Sequence, residues 1–124
     1  MAQSKNTKVD MVVNATSYQG LNSYGKIMIG DKAFEYYNDR NPEDNIQIPW
    51  EEVNYVIASV VFKKYIHRYA IETKKNGIYS FSSKKPKDVL RAIRVYVPSE
   101  RMVRSLGFFD VLKRGIKSIF KKKS

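Results

Sequence analysis

Strand-like alternation of apolar and polar residues covers most of this chain and is broken at short intervals by turn formers. The segment 53–62 is the longest run rich in β-branched and aromatic residues. Asn76-Gly77 is the strongest hairpin signal, because both residue types tolerate the positive φ of a type I′ turn. The pattern predicts seven strands, at 9–16, 25–29, 33–37, 46–50, 53–62, 69–74 and 78–82.

The period of the apolar residues changes from two to 3.6 near Pro86. Apolar residues from Val89 onward recur on one helical face, Pro86 suits a first helical turn, and Pro98 ends the pattern. We therefore expect a helix at 86–97 and a further turn that begins at Ser99. This order of elements predicts an α+β domain, a curved antiparallel sheet or partial barrel of about seven strands capped by a C-terminal helix.

The segment 107–124 has the pattern of a basic amphipathic helix. Residues 101–124 contain eight Lys or Arg and one acidic residue, a net charge of +7 within the chain's total of +11. The apolar face suits any apolar receptor, whereas the charge favours an anionic surface and adds little to docking on the chain's own domain. The residues expected to contact a membrane or a partner are Phe108, Phe109, Leu112, Lys113, Arg114, Ile116, Lys117, Ile119, Phe120, Lys121, Lys122 and Lys123.

The length of this segment also limits how it can meet a membrane. A helix at 108–121 would be about 21 Å long at ~1.5 Å per residue. The apolar part of a bilayer is about 30 Å thick, so such a helix would lie along the interface and not cross it.

These patterns divide the chain into a flexible N-terminus at 1–8, a sheet domain at 9–98 and a basic amphipathic segment at 99–124. The chain has no Cys, which excludes disulfides, thiolate metal sites and a cysteine nucleophile and fits a reducing cytosol. The polar first residues lack the apolar run of a usual signal peptide. We expect a cytoplasmic protein that is peripheral at the inner face of the cell membrane.

A small group of basic residues near a predicted turn is a candidate anion patch, formed by Lys63, Lys64, His67 and Arg68. Basic residues in a loop more often serve solvation, and a turn histidine is the favoured interpretation of His67. The sequence shows no spacing of carboxylates, of a nucleophile with a base, or of metal ligands that would indicate a catalytic or metal site. We expect no catalytic residues, no metal and no cofactor, and therefore no enzyme.

Most aromatic residues fall within the alternating strands, where aromatic side chains usually build a core or pair across strands. Trp50 follows Pro49 at the end of a short predicted strand. It is instead expected to be partly exposed, and an exposed Trp can anchor a partner.

Two stretches, 24–37 and 48–53, resemble bacterial pleckstrin-homology or GRAM-like domains, which also place a helix last. The whole chain resembles a small uncharacterised family encoded in Gram-positive bacteria beside mannose-type sugar phosphotransferase permeases and sometimes labelled mannose-operon regulators. The stretches 48–53 and 105–120 are its most distinctive parts. This resemblance implies a pleckstrin-homology/GRAM-like fold and an accessory or regulatory role in sugar uptake, without a defined reaction.

Phosphoinositide-binding relatives of that fold use basic residues around the first hairpin. This chain has no Lys or Arg between Lys8 and Lys26, so the resemblance does not extend to that lipid site.

Three functions follow from these features. The leading hypothesis is a non-catalytic module of mannose-type phosphotransferase uptake that attaches to the cytoplasmic membrane face or to the permease through 108–123. The second is a transcriptional regulator that binds nucleic acid through its basic tail, which is less favoured because the chain shows no helix-turn-helix. The third is a structural homo-oligomer in which the apolar helix faces pair.

Overall fold

The computed structural model describes residues 4–19, 21–61 and 65–105, without the side chains of Val61 and Ser105. Within these ranges the chain forms eight strands, one α-helix and two short 3-10 helices, Trp50–Glu52 and Ser99–Arg101. The strands and the helix are β1 (Val9–Ser17), β2 (Ser23–Gly30), β3 (Ala33–Asn38), β4 (Asn45–Pro49), β5 (Val53–Val61), β6 (Tyr65–Thr73), β7 (Ile78–Ser83), α1 (Pro86–Arg94) and β8 (Met102–Ser105).

The eight strands form one sheet in the order β4-β3-β2-β1-β7-β6-β5-β8. Neighbouring strands from β4 to β5 are antiparallel, and β8 is parallel to β5. Met102 lies opposite Val56, and Ser105 lies opposite Ser59. The chain therefore leaves the β7 position, forms α1 and returns to the far edge of the sheet.

The predicted fold class is wrong. The expectation was a pleckstrin-homology/GRAM-like, seven-stranded antiparallel sheet or barrel capped by a terminal helix. The structure is a mixed, eight-stranded and only partly curled sheet, and a further strand follows α1. A strand of four residues is too short to show a period of two, and its partner β5 lies far back in the sequence, so no local signal announced it. The predicted helix at 107–124 lies outside the described residues.

The individual strand predictions are close to the observed bounds, with two informative differences. The strand β6 begins at Tyr65 instead of residue 69, so part of the expected turn is extended. The β6–β7 loop is 74–77, and among the described non-glycine residues only Lys85 has a positive φ, so Asn76 does not. The type I′ prediction is therefore wrong, and Gly77 alone supplies the positive φ, 85°.

The helix α1 ends at Arg94, three residues before the predicted end. Val97 precedes Pro98, and the residue before a proline is disfavoured in the α region. The backbone N–H groups of Tyr96 and Val97 both donate to the carbonyl of Ile93, which closes the helix with a turn.

The main core lies between α1 and one face of the sheet. Val89 and Ile93 of the helix are fully buried, as are Phe34, Tyr69 and Phe81 of the strands. The second face carries a smaller cluster built on Ile57 and Val103, with Tyr55 and Ile78 packed against it.

Residues 4–8, assigned above to a flexible N-terminus, hydrogen-bond to the β2–β3 hairpin. Glu35, which is 0% exposed, accepts from Ser4 Oγ at 2.5 Å, the Lys5 N–H at 2.7 Å and Asn6 Nδ2 at 3.0 Å. The Thr7 hydroxyl donates to Asp31, which lowers the pKa of Asp31 to about 2. Two carboxylates therefore hold this segment against the sheet.

Candidate functional site

An apolar groove lies on the helix-covered face of the sheet, at its β5–β8 edge. Val56, Ala58 and Val60 alternate along β5 and therefore project from one face. Met102 pairs with Val56, and Ile66 of β6 pairs with Val60. These five residues line the floor of a cavity of about 460 Å³.

One side of α1 forms the first wall of the groove. Lys87, Arg91 and Arg94 follow the spacing i, i+4, i+7, and Leu90 lies between them on the same stripe. All four residues line the cavity. The core-facing stripe of the helix, which includes Ile93, turns away from it. The helix therefore covers the core with one side and offers a basic side to the groove.

The opposite wall is β8, where Arg104 lines the cavity and completes a rim of four cations. Arg91 pairs with Asp88, Nη1 to Oδ1 at 3.3 Å, but both side chains are well exposed and such a pair is weak. Within the described part of the chain, Lys87, Arg94 and Arg104 have no ion pair or side-chain hydrogen bond, and no Asp or Glu lines the groove. The rim is therefore electropositive and can accept an anion.

The described part of the chain ends with β8, directly after Arg104, which lines this groove. Ser105 pairs with Ser59 near the end of β5, and the sequence continues from there into 106–124. At the same end Tyr65 opens β6 and is 58% exposed. The attachment residues predicted between Phe108 and Lys123 lie outside the described residues and stay a prediction.

The structure describes two of the four residues of the predicted anion patch. His67 is exposed and lies at an irregularity in the β5–β6 register. The guanidinium carbon of Arg68 lies 4.0 Å from the centroid of the Tyr18 ring, a cation–π distance. Lys63 and Lys64 lie outside the described residues, so the patch stays a prediction.

The buried tyrosines have structural roles. Burial raises the pKa of Tyr69, whose hydroxyl donates to Ser83 Oγ at 2.5 Å. Burial likewise raises the pKa of Tyr36, whose hydroxyl lies 2.8 Å from Ser23 Oγ. Nowhere in the described ranges do three His, Asp or Glu side chains gather as a metal site would require. Also within those ranges, no helix combines the length and apolar character needed to cross a membrane.

Sequence reasoning did not find this groove. The helical spacing of Lys87, Arg91 and Arg94 was visible once α1 had been predicted, but it indicates only a solvated face. Arg104 joins them because β8 pairs with β5, which no pattern in the sequence predicted.

Comparison with known proteins shows the family and a shared fold. No curated protein matches the chain. Among solved structures, the crystal structure of the C-terminal domain of an unknown protein from Leishmania infantum is similar, with 12% identity and a TM-score of 0.63 over 72% of this chain and 83% of that chain. At that identity the likeness concerns the fold alone. The family described as a domain of unknown function (DUF956) matches residues 1–116, and the chain belongs to this family.

Proposed function

We propose that this protein is a non-catalytic accessory or regulatory module of mannose-type sugar phosphotransferase uptake. It attaches to the cytoplasmic membrane face, or to the permease in it, through the segment 108–123. The observation that carries the proposal is the pairing of β8 with β5, which ends the described part of the chain next to an apolar groove with a cationic rim; the sequence continues from there into the basic segment.

Charge supports this assignment over docking of the segment on its own domain. Residues 106–124 contain six Lys or Arg and one Asp, a net charge of +5. Among the described residues, the groove at β8 contributes four more cations and no carboxylate. Like charges disfavour self-docking, whereas an anionic surface attracts both.

The sugar-uptake context comes from the resemblance of the whole chain to proteins encoded beside mannose-type permeases. The proposed function is non-catalytic because the sequence shows no pattern that combines a nucleophile, a base and an anion-binding group.

Vesicle co-sedimentation of the full chain tests the attachment. The variant Lys113→Gln/Arg114→Gln/Lys117→Gln removes three tail charges, each worth up to about 1 kcal/mol at an anionic membrane. We expect it to bind vesicles containing anionic lipid at least about tenfold more weakly than the unchanged chain. The matched control Lys32→Gln/Lys74→Gln/Lys75→Gln removes three exposed charges from two loops remote from the groove.

Equal binding of the tail variant and the unchanged chain would overturn attachment through 108–123. A capture experiment on membranes with and without the mannose-type permease then separates the two receptors. If the protein is retained only on membranes that contain the permease, the receptor is the permease. If it is retained equally on both membranes, the receptor is lipid.

A further inference from the structure

We propose that the groove between α1 and β8 is a binding site for an anionic phospholipid of the bilayer, with the phosphate at the arginine rim and the adjoining apolar part over the floor. This inference rests on the proposed membrane attachment and extends it, because the folded domain then contacts lipid in addition to the tail.

The shape and the two surfaces of the groove fit such an amphiphile. Its volume of about 460 Å³ lies within the range of sites for small organic ligands. Val56 and Val60 of the floor are buried, and the apolar surface open to the groove comes from half-buried side chains, those of Ala58, Ile66, Leu90 and Met102. An apolar surface of this kind favours a ligand with a hydrocarbon part over a free anion.

The rim selects an anion and favours a phosphate. Arg94 on α1 and Arg104 on β8 line the same cavity, so we expect one ligand in it to contact both. Neither has an ion pair or side-chain hydrogen bond within the described residues. Their donor forks match the oxygens of a phosphate, and no Asp or Glu in the described part of the chain lines the groove to oppose an anion.

The surroundings of the groove favour a membrane over an isolated lipid in solution. Tyr65, which opens β6 directly before the floor residue Ile66, is 58% exposed, and tyrosine is enriched at the membrane interface. The sequence adds Lys63 and Lys64 between β5 and β6 at this end. The sequence continues from β8 into 106–124, the segment proposed to attach to the membrane, so a lipid of that same bilayer is the occupant that fits best.

The first test uses the full chain with its tail unchanged. The variant Arg94→Gln/Arg104→Gln removes the unpaired arginines from both walls, and the control Lys74→Gln/Lys75→Gln removes the same charge from the β6–β7 loop. We expect the groove variant to lose at least about fivefold in affinity for anionic vesicles, and the control less than twofold. Equal losses of vesicle affinity in the two variants would show that only the net charge of the protein matters and would overturn the site.

A second variant tests the floor without changing charge. Ala58→Phe places a ring in the groove, and we expect weaker vesicle binding with retained rim charges. Circular dichroism and thermal unfolding establish that the variant is folded. A folded Ala58→Phe protein that binds anionic vesicles like the unchanged chain would contradict an apolar ligand in the groove.

A titration followed by NMR locates the ligand. Short-chain phosphatidylglycerol below its micelle concentration should shift the methyl signals of Val56, Val60 and Ile66. Equal shifts with glycerol phosphate, or with phosphatidylcholine of the same chain length, would overturn the proposal. Contacts between these methyl groups and residues 106–124 in lipid-free protein would assign the groove to the chain itself and also overturn it.

These outcomes are separable from those of the proposed function. If only the tail variant loses binding, the proposed attachment through 108–123 stands and the proposed lipid site in the groove is overturned. If only the groove variants lose binding, the proposed lipid site stands and attachment through 108–123 is overturned.

Discussion

The indole of Trp50 stacks on the ring of Tyr96, with the ring centroids 5.0 Å apart and the ring planes inclined by 9°. Trp50 Nε1 also donates to the carbonyl of Gly30 at 2.9 Å. This arrangement ties the 3-10 turn after β4 to the end of α1 and to the β2–β3 hairpin. Trp50, which the sequence offered as a partly exposed residue able to anchor a partner, is half-buried and makes these contacts within its own domain.

Replacing Trp50 by Phe should lower the free energy of unfolding by about 1–3 kcal/mol, because the Gly30 carbonyl loses its donor and the ring stack shrinks. Urea denaturation followed by circular dichroism measures the change. Tyr24→Phe, at an exposed position, should change it by less than about 0.5 kcal/mol. A comparably small loss in Trp50→Phe would contradict the role given to this contact.

Stability at alkaline pH should depend on Tyr96. Its hydroxyl donates to Asp10, and this hydrogen bond, with smaller effects of burial and nearby carboxylates, raises the pKa of Tyr96 to about 12 from 10.0. The folded state keeps this proton when the unfolded chain has lost it, so the contribution is complete below pH 10 and falls between about pH 10 and 12.

Tyr96→Phe removes this titration, whereas other tyrosines with raised pKa values, including Tyr69, still titrate. We therefore expect the stability difference between the unchanged chain and Tyr96→Phe to be constant up to about pH 9 and to narrow above pH 10. Urea denaturation at a series of pH values measures it, and a difference that stays constant to pH 12 would contradict the assignment.

The N-terminal segment 4–8 should detach when Glu35 is replaced by Gln. Three donors converge on this buried carboxylate, and an amide would turn its own N–H groups toward one or more of them. We expect a loss of about 1–3 kcal/mol and faster tryptic cleavage after Lys5 and Lys8. Glu51→Gln, at an exposed carboxylate, is the matched control, and equal cleavage rates in the two variants would sink the prediction.

Gly25 is required for the close approach of β2 and β3. A Cβ at this position would overlap the carbonyl oxygen of Tyr37 and lie 2.8 Å from the Tyr36 hydroxyl. Gly25→Ala should therefore cost about 3 kcal/mol, in the upper range of overpacking. A Cβ at Gly77 would meet open space, so only the positive φ opposes Gly77→Ala, and this substitution should cost about 1 kcal/mol of stability. Chemical denaturation compares the two, and the reverse order would disprove the steric argument.

The seven strands from β1 to β7 were predictable because each is local. Their residues alternate over at least five positions, and turn formers separate them, as at Asp31 and Gly77. The bounds of α1 were less accurate, since Pro98 acts on the residues before it as well as on its own position. Local rules therefore recovered the elements but not their arrangement.

The candidate site was not predictable, because its parts come from distant segments. Arg94 is on the helix, Ala58 is in the middle of β5 and Arg104 is on a strand of four residues. Only the pairing of β8 with β5 brings the second wall to the groove. Pairing between distant segments depends on the whole sheet, so a period in the sequence does not report it.

By itself, the sequence determined the strand-rich character, the strongly amphipathic helix after β7 and the concentration of basic charge in the last residues. These properties follow from backbone preference, side-chain period and composition, which act over a few residues at a time. The tertiary structure decided that the sheet is mixed, that Trp50 is half-buried against Tyr96, and that Arg94 and Arg104 line one groove. Those relationships come from packing between segments far apart in the chain, where burial and strand pairing select one arrangement among many with the same local pattern.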